Sequence, residues 1–129
     1  MLRGGVLNAQ LARALAELGH THTVVVGDCG LPRPAGVETV DLAVTLGVPS
    51  FADVLTVVAG AIVIEGAVVA SEVVGANPDA YRLVERLAGT PELVSHEELK
   101  RLSTQARVYV RTGEASPYAN VILRCGVPF

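Results

Sequence analysis

The chain has 129 residues, of which 50% are hydrophobic and only 4% aromatic, and its formal net charge is −3. That length fits one domain, residues 1–129, with an aliphatic core, and the apolar richness leaves surface for a subunit interface. Lys and Arg are scattered rather than drawn into a basic stripe, so nucleic acid is not an expected partner; no apolar run reaches the roughly 20 residues that span a bilayer, and the longest, 54–70, is broken by Gly60, Glu65 and Gly66.

The N-terminal stretch has one arginine and is polar-interrupted, unlike a secretory signal. Cys29 and Cys125 have neither framework nor metal-ligand spacing. They read as free thiols of a reducing compartment, and the expected location is the cytoplasm.

In chain order, Asn8 is a helix cap, Leu11, Ala12, Leu15 and Leu18 repeat at helical spacing, and Gly19 is a stop signal. His20 then falls where the chain leaves the helix. Thr23–Val26 is β-branched and predicts a strand, followed by the rigid loop Gly30-Leu31-Pro32-Arg33-Pro34. The stretch 37–45 alternates as a second strand. Ser50 caps a helix with Phe51, Val54, Leu55 and Val58 on one face. The stretch 61–69 is a third strand, running into a short helical turn by Val74.

Asn77-Pro78 opens a helix through Leu87, and 92–94 is a short strand. Ser95-His96-Glu97-Glu98 fits the S-x-x-E capping box, placing His96 in the first turn of a helix. Stretches 106–111 and 119–123 are the last strands, with a turn at 113–117. Strands alternating with helices predict an α/β class: a single three-layer α/β/α domain with a mostly parallel, mixed central sheet.

Few residues can carry chemistry. A lone histidine is more often a surface or satisfied core residue than a functional one. His20, beside a glycine at an element end, and His96, at an exposed helix start, have the better cases. His20 and His22 at i, i+2 would share one side of a strand, and with Asp28, Cys29 or His96 could form a zinc site; no HExxH or CxxC supports it. Asp28 ends the first strand, where open parallel sheets bind ligands; it is equally a turn former for the Cys29-Gly30 bend.

Glu114-Ala115-Ser116-Pro117-Tyr118-Ala119-Asn120 gathers hydroxyls, an amide and an aromatic, a set suited to a sugar. An ordinary turn between strands is its plain alternative. No phosphate-binding glycine loop and no G-x-S-x-G elbow occur. If 21–27 is extended, His20 and Asp28 stand roughly 26 Å apart at about 3.3 Å per residue. A monosaccharide cannot bridge that. They serve different sites, or the segment is not extended throughout, or His20 of one subunit meets Asp28 of another.

The stretches GGVLNAQLARALAELGHTH, GDCGLPRP, DLAVTLGVPSF, SHEELK and RTGEASPYANVIL together resemble the D-ribose pyranase family, whose relatives include the L-fucose mutarotases. The match runs nearly end to end. The GLP loop and PYAN turn fit the ribose branch better than the fucose branch. The resemblance implies a cytoplasmic enzyme with no metal and no cofactor, a homo-oligomer that is commonly a decameric ring. It would interconvert β-D-ribopyranose and β-D-ribofuranose.

The resemblance makes His20 the catalytic acid/base and Asp28, His96, Tyr118, Ala119 and Asn120 the binders of D-ribose, with Lys100 as a helper. Cys29 stands where the family usually has alanine, and His22 where aspartate is common. The segment before Glu92 also looks short. A mutarotase for another sugar such as L-fucose, a non-catalytic sugar-binding protein and a metal-dependent hydrolase are the competing readings.

The chemistry suits the residues. Opening a hemiacetal needs a base for the anomeric hydroxyl and an acid for the ring oxygen, and imidazole, with an ordinary pKa of about 6.5, can play either part. Positioned proton transfer is typically worth about 10²–10⁴ in rate.

Overall fold

The computed structural model describes residues 1–129. Six strands form one sheet: β1 (Thr23–Gly27), β2 (Glu38–Asp41), β3 (Ile64–Ala70), β4 (Glu92–Val94), β5 (Val108–Arg111) and β6 (Val121–Cys125). Five helices join them: α1 (Ala9–Ala16), α2 (Phe51–Ala61), α3 (Val73–Ala76), α4 (Pro78–Ala88) and α5 (His96–Ser103). The strand order is β2-β5-β1-β6-β3-β4. β1 and β2 both run parallel to β5, and β3 parallel to β4, whereas β6 is antiparallel to β1 and β3. The sheet is therefore mixed, with its one reversed strand near the centre.

The helix starts follow the capping chemistry. Asn8, Ser50, Asn77 and Ser95 each accept a backbone N–H from three residues on, which satisfies donors a helix start leaves open. The capping box at Ser95 is only half made: Glu98 turns to Arg101 instead of back to the cap. Gly19 is not the helix stop. α1 ends at Ala16 with Glu17 as its cap, and the Gly19 N–H is taken by His22 Nδ1 at 2.9 Å.

Alternating side chains of the strands feed two layers. Val24, Val26, Val40, Val110, Val121 and Leu123 pack under α1, α2 and α4. Val25, Tyr109 and Ile122 face the other way, under α5 through Leu99. The three layers are thus unequal, with α1, α2, α4 and the one-turn α3 (through Val73) on one face and α5 covering part of the other. A groove of about 480 Å³ lined by Val68, Val94, Leu102 and Ile122 opens beside α5.

Strand limits differ from expectation where long-range bonds intervene. β2 stops at Asp41 because that carboxylate accepts from the Ala43 N–H and pairs with Arg33 and Arg111. Residues beyond it form a narrow loop closed by a bridge between Thr45 and Val48. β3 starts late because α2 continues through Ala61. β6 starts at Val121 because Tyr118 takes φ +56 and Asn120 is drawn to Asp28.

Candidate active site

β1 delivers Asp28 to its C-terminal end, and the final loop brings Asn120 and Tyr118 to meet it. The Asn120 side chain, 2% exposed, pairs with Asp28 twice: its Oδ1 accepts the Asp28 N–H at 2.8 Å and its Nδ2 donates to Asp28 Oδ2 at 3.0 Å. Asp28 Oδ1 accepts the Gly30 and Leu31 N–H groups at 2.9 and 2.8 Å. Asp28 is thus a turn former and a partly exposed carboxylate at a strand exit at once.

Below it, the Tyr109 hydroxyl donates to the carbonyls of Asp28 and Leu31 at 3.3 and 3.2 Å. Burial, and then the Asp28 charge, push that phenol well up, so it stays a neutral donor. Thr112 Oγ1 donates to the Gly27 carbonyl at 2.9 Å, and the Cys29 N–H donates to the Glu114 carbonyl at 2.9 Å. The loop carrying Asp28 is therefore held from β5 and from 112–120 together.

His96 joins this end through Tyr118, their rings edge to face with centroids 5.2 Å apart. The His96 N–H donates to the Glu72 carboxylate at 3.1 and 3.2 Å, a charge suited to the start of α5. Burial pushes the Glu72 carboxyl up, but hydrogen bonds from Ser71 and His96 outweigh it and leave the pKa below its ordinary value. His96 Nδ1 is buried without a hydrogen-bond partner, alone among the protein's buried side-chain polar atoms. Leaving such a group unpaired costs about 1–3 kcal/mol.

Asp28, Asn120, Tyr118 and His96 therefore come together. Ala119 does so only by backbone, because its side chain is 1% exposed and packs in the larger core on the opposite layer. Lys100 pairs with Glu97 one turn away on α5. His20 is not in this group. It sits in the turn before β1, with Nε2 3.0 Å from Glu65 Oε2. From Thr23 to Gly27, β1 alone puts about 13 Å between its two ends. The stretch from His20 to His22 is a turn, with Thr21 at φ +69, so the extended-chain figure of roughly 26 Å is too long. The two ends stay separate all the same.

His22 does not converge with the other histidines, since its Nδ1 already serves Gly19. No group of three or more His, Cys, Asp and Glu is placed to hold a metal ion. Residues that the sequence reading missed are Glu65, Glu72 and Tyr109. Only Glu65 left a signal: a carboxylate and a glycine interrupting an apolar strand, the mark of a bulge.

Comparison with known proteins is consistent with this architecture. D-ribose pyranase 1 of Rubrobacter xylanophilus is 58% identical over 129 residues, covering all of both chains. D-ribose pyranase of Streptomyces avermitilis is 57% identical, again over the whole of both. The structure of Bacillus subtilis RbsD complexed with D-ribose matches with a TM-score of 0.95 and 42% identity, covering 100% of each chain. Residues 1–128 match the RbsD / FucU transport protein family, and the chain belongs to that family.

Proposed function

We propose that this protein is a D-ribose pyranase, an isomerase that interconverts β-D-ribopyranose and β-D-ribofuranose by opening and reclosing the ring. The observation that carries the reading is the cluster of Asp28, Asn120, Tyr118 and His96, held together in a fold that matches ribose-bound RbsD end to end. Asp28 Oδ2 keeps acceptor capacity for sugar hydroxyls, the Tyr118 ring covers an apolar sugar face, and His96 offers imidazole nitrogen to a further hydroxyl. Asn120 binds indirectly, by fixing Asp28.

His20 is the acid/base. It takes the anomeric hydroxyl proton as the aldehyde forms and the C1–ring oxygen bond breaks, and the ring oxygen is protonated. Rotation then presents a different hydroxyl, O4 in place of O5, and the steps run in reverse. No electron acceptor and no covalent enzyme intermediate enter the balance.

Because His20 and Asp28 occupy opposite ends of β1, the working site combines His20 of one copy with the Asp28 cluster of another. Such a head-to-tail contact gives a ring where the rotation between copies closes and a filament where it does not; the family resemblance favours the ring. The exposed apolar tip of Val44, Leu46 and Val48 next to the Asp28 end, and the apolar groove of Leu15, Leu18, Ile62 and Val63 next to the His20 end, support burial between copies. A cytoplasmic homodecamer follows from the family resemblance.

The test is saturation transfer between the pyranose and furanose anomeric protons of D-ribose. Faster exchange with the protein, lost in His20→Ala, is expected. A folded protein that leaves exchange at the buffer rate would sink the assignment; acceleration of L-fucose exchange alone would move it to another sugar.

A further inference from the structure

The His20 end of β1 is built around a carboxylate outside the motifs that suggested the family. β3 pairs with β6 through Ile64↔Cys125 and then Gly66↔Arg124, so Glu65 is the extra residue of a β-bulge. A bulge bends its strand and re-aims the side chain at that point. Here Glu65 Oε2 lies 3.0 Å from His20 Nε2, and Oε1 lies 3.0 Å from Arg124 Nε.

The chain is distorted on the facing side too. Thr21, directly after His20, takes φ +69, a conformation β-branched residues rarely adopt. Its N–H is tied to the Cys125 carbonyl at 2.9 Å. Two local irregularities, one in the turn before β1 and one on β3, thus converge on one imidazole–carboxylate contact, and backbone strain gathers where a side chain must be held in place.

A histidine that donates one ring N–H to a carboxylate has its tautomer and ring orientation set by that bond, which makes the other nitrogen the proton acceptor. We propose that Glu65 is the positioning residue of the ring-opening reaction: it accepts the Nε2–H of His20, leaves Nδ1 to exchange the proton with the sugar, and is itself steered by Arg124. This rests on the reading of His20 as the acid/base. Nδ1 takes the anomeric hydroxyl proton as the C1–ring oxygen bond breaks, and the proton is given back at the ring oxygen. Glu65 neither gains nor loses one.

The experiment compares wild type, Glu65→Ala, Glu65→Gln and His20→Ala by ribose exchange and by imidazole nitrogen NMR of ¹⁵N-histidine-labelled protein. Glu65→Ala is expected to slow exchange at saturating ribose about tenfold or more. Half-saturation should change little, and the His20 nitrogen shifts should move from an Nε2–H pattern to a mixed one. Glu65→Gln, whose amide oxygen still accepts Nε2–H, is expected to keep the tautomer and most of the rate.

If Glu65→Ala does not fold, Arg124→Ala is expected to give the same mixed tautomer with a smaller slowing. Wild-type exchange and an unchanged His20 tautomer in the alanine variants would overturn the proposal while the His20 reading stands. Full activity in His20→Ala would instead remove that reading, and the role of Glu65 with it.

Discussion

Asp28 shows how much structure one side chain can carry at a strand exit. Its Oδ1 closes the 28–31 turn and its Oδ2 meets Asn120, so the turn-forming role is made in full and Oδ2 is the oxygen left for the sugar contact proposed above. The support beneath it is testable. Tyr109→Phe removes a hydroxyl that donates to two loop carbonyls and is expected to cost about 1 kcal/mol in a urea titration. Ribose affinity should fall further than that stability change implies, because the loop under the Asp28 carboxylate loosens; unchanged affinity would show that β1 and Asn120 hold Asp28 unaided. Gly113 has a stricter demand. A Cβ there would fall on the Val48 and Thr45 carbonyls, so Gly113→Ala is expected to destabilise by about 4 kcal/mol or prevent folding. A thermal midpoint within a few degrees of wild type would contradict this.

Among the elements, helix starts were legible because caps are local: Ser50, Asn77 and Ser95 each act on a donor three residues away. Strand ends were less so, because distant groups set them, as Arg111 does for Asp41. The reversal of β6 had a readable sign. Only residues 112–120, with no helix, connect β5 to β6, too little for the usual parallel crossover. That connection also caps α2 from a distance, since Glu114 Oε1 accepts the Phe51 N–H at 3.0 Å. Burial pushes the Glu114 carboxyl up, but the N–H donors of Phe51, Ser116 and Ala115, together with the Ser116 side chain, outweigh it and the folded pKa is lowered. A lowered folded pKa adds stability above the unfolded value near 4.5, which is lost as pH falls through the folded value. Glu114→Gln is therefore expected to lower stability by about 1–2 kcal/mol at neutral pH and to lose less on acidification than wild type. Parallel pH–stability curves for the two proteins would refute the assignment.

At the scale of the whole molecule, the single chain carries His20 and the Asp28–Asn120 pair at opposite ends of β1, which the proposed function reads as two half-sites. The elements around Asp28 were legible in the sequence because a strand exit, a helix cap and a polar turn each announce themselves locally. That Asp28, Asn120, Tyr118 and His96 converge was not, since the pairing of residues 28 and 120 spans most of the chain and follows from β6 inserting between β1 and β3. His20 was readable as a residue at an element end beside Gly19, and its distance from Asp28 only as a spacing along an extended segment. Glu65 showed only as an interruption of an apolar run, because its meaning depends on a bulge whose partner lies on β6. The two ends carry the apolar loop and apolar groove that a contact between copies would bury, and light scattering is expected to find a closed oligomer and no monomer at micromolar concentration.

The most direct measurement is complementation. His20→Ala and Asp28→Ala chains are each inactive on this account, and each retains the half-site the other lacks. Co-assembled in equal amounts, they should regain about a quarter of the wild-type ribose exchange rate, since random assortment at a head-to-tail interface pairs an intact His20 with an intact Asp28 in about one contact in four. Mixed oligomers that stay at the buffer rate, although wild type accelerates exchange and each variant is folded and assembled, would contradict a site shared between two copies.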